Sequence, residues 1–497
     1  MKFRITTLLC FLLVLLTFPT VGKAETFSAE EITSKRLVTH TEGFQYCTWL
    51  FDGAVKSGQN ISPNSSFRLE AAKGIGSYYL IYKVPHGEYT VINEDTGEEK
   101  ICGTHGFLHE FVDITQLFGG PVHKLTVKFG EEPPILTELR VFTEGEPPAD
   151  VQRWQVPPEE GVDLLVFPTH GDDEQLFFAG MLPYYAGELG YQVQVVYSTD
   201  HANFGTERPH EMLDGLWASG VTNYPVFGPF PDYMSKSARV AMEGLERRGY
   251  SEDCLRGFVV EQLRKFKPQV VVGHDLNGEY GHGMHRLYAE MVRQAVEVSG
   301  DSASYPESAE TYGVWDVPKT YLHLYPENQI VMDWDIPLEH FDGMTAYQVT
   351  KTYGFPAHKS QYSGFAWYMG PHERASDIPE MSPCIYGLVR STVGEDVEKN
   401  DLFENLTVRS QIDAAEEQKR LEEEQRKAEE EAEEQRRLEQ ERLQAEAEAK
   451  ALEESREAQQ QEEVLRQSRN KLIGFLAVIF GTLLVLSVVI FTIKLRR

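Results

Sequence analysis

Hydrophobic and polar positions fall into five regimes along the chain, and each predicts a different kind of structure. Residues 5–18 form an apolar run behind Lys2 and Arg4, followed by the small-residue stretch Gly22-Lys23-Ala24. That layout predicts a secretory signal over 1–24, removed after Ala24. From 25 to 157 the apolar residues come in short β-branched and aromatic bursts at 67–70, 77–84, 87–92, 107–114, 123–129 and 136–142. Turn signals such as Pro85-His86-Gly87 and Gly119-Gly120-Pro121 part them. Short strands at this spacing predict an all-β sandwich or jelly roll, either a spacer or a carbohydrate-binding accessory domain.

After Gly161 the pattern changes. Nearly continuous apolar runs at 162–167, 193–197 and 270–272 alternate with helical periodicity at 174–189, 209–218, 236–247, 253–266 and from about 284. Runs that short and that apolar suit strands buried on both faces. Residues 321–325 read as a further strand. The alternation predicts an α/β domain over 158–403: a Rossmann-like, doubly wound parallel sheet with right-handed crossovers.

Residues 411–467 are mostly Glu, Gln, Arg, Lys, Ala and Leu without Gly or Pro, the composition of a long helix. Pairs such as Glu416–Arg420, Glu423–Lys427 and Glu462–Arg466 put an acid four residues before a base. Each adds about 0.2–0.5 kcal/mol to a solvated helix. Leu438, Ala445 and Leu452 keep a seven-residue spacing that polar residues interrupt elsewhere. A solitary stalk and a weak, self-associating coiled coil both fit 404–470. At 1.5 Å per residue such a stalk reaches on the order of 85 Å. Residues 472–493 are uncharged, about the 20 residues a bilayer core requires. A transmembrane helix is therefore expected over 471–493. Lys494, Arg496 and Arg497 follow as a basic tail at 494–497, which places the bulk of the chain outside the cell membrane.

The net charge of -30 argues against nucleic acid as a partner. Of the five cysteines, Cys10 falls in the leader. Cys47, Cys102, Cys254 and Cys384 allow three complete pairings, of which Cys47–Cys102 with Cys254–Cys384 keeps each bridge within one predicted domain.

Chemistry concentrates where two buried runs end. The first delivers His170-Gly171-Asp172-Asp173-Glu174, and the second leads through His274 and Asp275 to Tyr280-Gly281-His282-Gly283-Met284-His285. Open α/β sheets place ligands at the carboxyl ends of their strands. The first loop alone equally suits a helix capped by Asp172 or Asp173. The second loop tips the balance towards a shared metal site. A catalytic zinc keeps three protein ligands and an open position. His170, Asp173 and His285 supply three. Asp172 then stands as the general base activating a zinc-bound water, and His282 as oxyanion stabiliser or acid for the leaving nitrogen.

These motifs resemble the LmbE/PIG-L-type N-acetylglucosaminyl deacetylases. Their His-Pro-Asp-Asp-Glu stands here as His170 to Glu174, and their Gly-His-x-x-His as Gly281 to His285. The resemblance implies Zn2+ held by His170, Asp173 and His285, Asp172 as base, and His282 beside the oxyanion. Tyr280 matches a tyrosine near the substrate carbonyl. Arg208 and Glu211 form a matching Arg-x-x-Glu, with Arg208 a substrate contact, and His358-Lys359-Ser360-Gln361 matches a His-x-Ser-Gln tail. Gly171 replaces the usual proline, and Met284 replaces an acid that orients the neighbouring histidine, leaving Asp275 as a substitute. The expectation is an extracellular, membrane-anchored, zinc-dependent amide hydrolase. It would deacetylate N-acetylglucosamine-type residues of cell-envelope or other glycans. The alternatives are a surface adhesin whose metal shapes a glycan pocket, and a same-fold hydrolase of another amide or ester.

Overall fold

The computed structural model describes residues 27–44, 47–200 and 206–495. The predicted signal over 1–24 and the last two residues of the basic tail lie outside them. The chain divides into two compact units, Met1–Ile412 and Asp413–Arg497. The predicted boundary at 157/158 thus falls inside the first unit, which holds two modules.

The first module comprises β1 (Val38–Glu42), β2 (Gln59–Asn60), β3 (Ser66–Ile75), β4 (Ser77–Tyr82), β5 (Tyr89–Asn93), β6 (Glu98–Cys102), β7 (His109–Asp113), α1 (Ile114–Phe118), β8 (Val122–Lys128) and β9 (Ile135–Phe142). Two antiparallel sheets, ordered β1-β3-β8-β5-β6 and β2-β9-β4-β7, close on one core. Phe67, Leu69, Val91 and Val127 meet Tyr78, Leu80, Leu139 and Val141 across it. The sequence pattern misses β1, β2 and β6, whose polar residues carry no apolar alternation. It also extends the 107–114 strand one residue into α1, which Asp113 caps through the Gln116 N–H at 2.8 Å.

The second module contains β10 (Leu164–Val166), α2 (Asp173–Leu176), β11 (Val193–Val195), α3 (Arg208–Ala218), α4 (Ala238–Glu246), α5 (Glu252–Phe266), β12 (Val270–Gly273), α6 (Gly283–Val298), α7 (Pro306–Tyr312), β13 (Lys319–His323), β14 (Gln329–Val331), α8 (Ala346–Val349), α9 (Phe355–Ala357), α10 (Tyr362–Met369) and β15 (Ile385–Ser391). The sheet runs β11-β10-β12-β13-β15-β14. Side chains alternate between two cores: Leu164, Val166, Val270 and Val272 on one face, Leu165 and Val271 on the other.

The sheet departs from the all-parallel expectation. β11, β10, β12 and β13 are parallel, whereas β15 pairs antiparallel with both β13 and β14. β15 therefore needs no crossover helix against β13, so no helix–strand alternation announces it. The helix expected at 174–189 is also broken. Gly180, at φ +88, lies where a Cβ would be 2.6 Å from the Trp334 Cβ, and the helix resumes as a π-turn from Pro183 to Glu188.

The four described cysteines are free, so the expected bridges are absent: Cys254 is exposed on α5, while Cys384 is buried beside β15. The last helix, α11 (Arg409–Leu495), is continuous. Lys427 meets Glu423 at 3.3 Å as predicted, and Arg437 pairs with Glu434 and Glu441. Its end is long and apolar enough to cross a membrane by length and composition. Side chains there, among them Leu476, Phe480 and Leu484, are exposed.

Candidate metal centre and active site

β10 and β12 pair in register, Val166 opposite Val272, so the loops that leave them open at the same sheet end. In the first loop Asp173 Oδ2 accepts the backbone N–H groups of Thr169 at 3.1 Å and His170 at 2.7 Å, which folds the loop around one carboxylate. Asp172 occupies the cap position of α2 without a side-chain cap bond, so the capping interpretation does not describe it. Gly171 is hemmed in: a Cβ there would lie 2.4 Å from Met212 Cγ on α3, which accounts for glycine where related motifs carry proline.

Three donor atoms converge. His170 Nδ1 and His285 Nε2 each lie 3.3 Å from Asp173 Oδ2, and 3.1 Å from each other. Ligands at about 2.0–2.1 Å in a tetrahedron stand about 3.3 Å apart, so this triangle fits one face of a zinc site. His282 is a neighbour, its donor atom within 4.8 Å of those of His170 and His285. Asp173, His274 and His285 form an alternative group. His274 is an unsuitable ligand, because its Nε2 accepts the Thr169 N–H at 2.9 Å and its Nδ1 donates to Glu279.

Outer partners fix the ring orientations. His285 Nδ1 donates to Glu279 Oε2 at 2.8 Å, and His170 Nε2 to Asp232 Oδ1 at 2.9 Å, which turns each remaining lone pair towards the triangle. Glu279 is fully buried and also accepts from His274 at 2.7 Å and from His323, at the end of β13, at 2.7 Å. The sequence reading missed Glu279, Asp232 and His323. Glu279 carried a signal in retrospect, an acid inside a histidine-rich loop; Asp232 and His323 carried none.

The electrostatics call for positive charge. Burial would raise the Asp173 carboxyl, yet His285, His274 and His170 hold it well below the usual range. Burial depresses His170, but Asp173 and Asp232 outweigh it and push the ring up to about 10. A donor set that holds a proton this firmly suits a cation of higher charge.

Asp172 is buried, and burial pushes it up to about 7, with Asp173 adding to the rise and Arg208 opposing it. Arg208 lies against protein groups, its guanidinium 3.4 Å from Asp172 Oδ2 and 3.3 Å from both Glu211 Oε2 and His358 Nδ1. It is 2% exposed, and these three side chains surround its guanidinium. His358 Nε2 reaches Glu174 Oε1 at 3.0 Å, and Ser360 Oγ donates to Glu211 at 2.6 Å. The His-Gly-Asp-Asp-Glu loop, the Arg-x-x-Glu helix and the His-x-Ser-Gln segment therefore form one network behind Asp172.

His282 is pushed down to about 3, by burial first and then by His170 and His285. Its Nδ1 is buried without a hydrogen-bond partner. Asp275 does not substitute for the missing acid: its carboxylate accepts the Asn277 N–H at 3.0 Å in its own turn. Met284 is buried in the core. Tyr280, at φ +44, packs its ring 5.6 Å from His282 and 5.5 Å from His285, under Lys236, whose Nζ bonds the Tyr280 carbonyl at 2.7 Å.

Residues 164–296 match the family model described as PIG-L: GlcNAc-PI de-N-acetylase. This segment belongs to the PIG-L family. Among curated proteins, 1D-myo-inositol 2-acetamido-2-deoxy-alpha-D-glucopyranoside deacetylase 1 of Catenulispora acidiphila is 28% identical over 188 residues, 33% of this chain and 56% of that protein. The Rhodococcus jostii deacetylase of the same name is 30% identical over 179 residues, 32% of this chain and 60% of its own length. The chain thus spans a little over half of these relatives. Among solved structures, N,N'-diacetylchitobiose deacetylase from Pyrococcus horikoshii aligns at a TM-score of 0.32 and 15% identity, covering 47% of this chain and 84% of that one. The PIG-L-family segment contains both motif loops, β10 through most of α6, and every residue of the donor triangle.

Proposed function

We propose that the protein is a zinc-dependent amide hydrolase that removes acetyl groups from N-acetylglucosamine-type residues of a glycan. The observation that carries the reading is the donor triangle of His170, Asp173 and His285 with Asp172 beside it. The likeness to deacetylases of N-acetylated amino sugars supports the substrate class. A zinc ion held there would polarise the acetyl carbonyl and acidify the attacking water.

The remaining steps fall to the chain. Asp172 takes a proton from the attacking water at a carboxylate oxygen, poised near neutrality by burial and restrained by Arg208. His282, neutral at pH 7 because its basicity is depressed, serves as a hydrogen-bond donor to the developing oxyanion and not as an imidazolium acid. Asp172 then returns its proton to the leaving nitrogen. Tyr280 closes the wall beside His282 and contacts the substrate. Arg208 acts through Asp172, as a positioning residue. The apolar end of α11 supports a membrane-anchored enzyme whose stalk holds the catalytic module outside the cell.

The test is acetate release from N-acetylated glycans by the purified protein. Chelation is expected to abolish it, zinc to restore it, and Asp172→Ala to lower it about 10²–10⁴-fold with zinc still bound. A zinc-loaded protein that releases no acetate from any such glycan refutes the proposal.

A further inference from the structure

Two adjoining cavities flank the loop 104–107, the first lined by the β module and the Arg153-Trp154 segment and the second by residues of both modules, and no residue of the candidate active site lines either. One, of about 510 Å³, opens beside β6 and β7; the other, of about 700 Å³, opens beside the C-terminal end of α5. Thr104, His105 and Phe107 form the wall they share. Each volume falls in the range of small-molecule sites. Together they offer an elongated site and not a single-ring pocket.

The wall is preset. Phe107 stacks on Tyr224 at 4.5 Å and 23°, and Trp154 meets Tyr224 edge-on at 5.7 Å. The Leu108 N–H donates to the Tyr224 hydroxyl at 3.1 Å, which pins the loop of one module to the other. Aromatic faces fixed in advance lose little freedom when a ligand lies against them.

The polar lining is mixed in sign. Lys100 and Arg153 face Glu110 and Asp113 around the first cavity. Lys100 and Arg153 also pair with Glu98 and Glu146, at 2.7 and 2.6 Å. Glu110 accepts the Gly103 N–H at 2.8 Å and lies 3.4 Å from the Tyr82 hydroxyl. A lining of near-zero net charge selects neither anion nor cation. Acceptors and donors interleaved with aromatic faces suit a neutral ring with hydroxyl edges and apolar faces, which is a sugar.

We infer that these paired cavities bind a neutral oligosaccharide of the N-acetylglucosaminyl class and so hold a glycan chain on the enzyme outside the active site. The choice of sugar rests on the deacetylase reading; the site itself does not. The full-length protein, titrated with a β-1,4-linked N-acetylglucosamine hexamer in the presence of chelator, is expected to bind it. His105→Ala and Glu110→Gln should weaken that binding about tenfold, while Asp172→Asn leaves it unchanged. The same groove variants should deacetylate a single N-acetylglucosamine glycoside at the wild-type rate but show a raised KM for the hexamer. Absence of hexamer binding by the wild-type protein, or binding indifferent to both groove variants, overturns the inference. His105 is exposed, so His105→Ala keeps the test decisive even where Glu110→Gln disturbs the module. Groove-dependent binding without acetate release would sink the deacetylase reading alone, and acetate release without groove dependence would sink only this one.

Discussion

At the centre built by β10 and β12, four imidazoles face a carboxylate, His170 facing Asp232 while His274, His285 and His323 share Glu279; beside them, His282 Nδ1 has no hydrogen-bond partner. At the module boundary the arrangement is the reverse. His109 Nδ1 meets the Tyr79 hydroxyl at 2.6 Å, and His109 Nε2 meets His210 Nδ1 at 2.7 Å, with no acid in the chain of contacts. All three side chains are buried. The consequences diverge. Carboxylates drive His170 up to about 10 against the depression from burial. At the boundary burial pushes His210 down to about 4 and His109 well below its usual value. Burial alone makes a histidine a neutral packing residue; carboxylates in a second layer make it part of a cation site.

The strongest way to break this contrast is to remove charge from the donor triangle itself. Asp173→Asn keeps the shape of the loop and the N–H bonds to one oxygen but takes away the charge that three histidines surround. Its affinity for zinc should fall by more than about 100-fold, beyond the effect of outer partners. Metal analysis after equilibrium dialysis measures it. Near-stoichiometric zinc in that variant would mean that the ligands lie elsewhere, with His282 as the first candidate.

Glu279→Gln sharpens the comparison at the next level. The amide can still accept from two rings but no longer holds their charge, and its nitrogen confronts an imidazole donor. Zinc affinity should fall about 10–100-fold. His210→Gln, at the boundary, should leave zinc affinity unchanged. Equal effects of the two variants would show that the centre responds to general loosening and not to its carboxylate.

Much of the centre could be read in advance because its ligands sit at the ends of strands whose apolar runs are unmistakable. Leu164–Val166 and Val270–Gly273 form adjacent parallel strands, and the crowded loops after them converge. What remained hidden depends on contacts distant in sequence. Asp232 reaches His170 from an irregular segment before α4, and His323 reaches Glu279 across β13. Arg208 shows a different limit: its Arg-x-x-Glu spacing was legible, but whether the guanidinium turns to substrate or to Asp172 depends on packing. β15 went unnoticed because an antiparallel strand on the edge side of β13 requires no preceding helix. β1, β2 and β6 lie at sheet edges, where one neighbouring strand suffices and the apolar alternation fades.

The smallest expected effect concerns pH and stability at the boundary. His210 titrates near 6.5 when unfolded and near 4 when folded, because burial disfavours its charged form. Between those values the unfolded chain binds the proton and the native chain does not, so stability rises with pH across the window and is lost as pH falls from 6.5 towards 4. One such proton amounts to about 1.4 kcal/mol per pH unit, on the order of 2–3 kcal/mol over the window. Glu110 works in the opposite direction: burial pushes it up to about 7, so its native form gains a proton that the unfolded form lacks, and stability falls as pH rises from about 4.5 to 7. The two partly cancel in the wild-type protein, which makes the raw pH profile a poor readout. The difference between wild type and His210→Gln isolates the histidine. Melting temperatures of the variant should decline less steeply on acidification between pH 6.5 and 4, whereas parallel profiles would mean that the boundary histidines keep their protons in the fold. They would then resemble the rings at the metal centre, and some carboxylate would have to reach them.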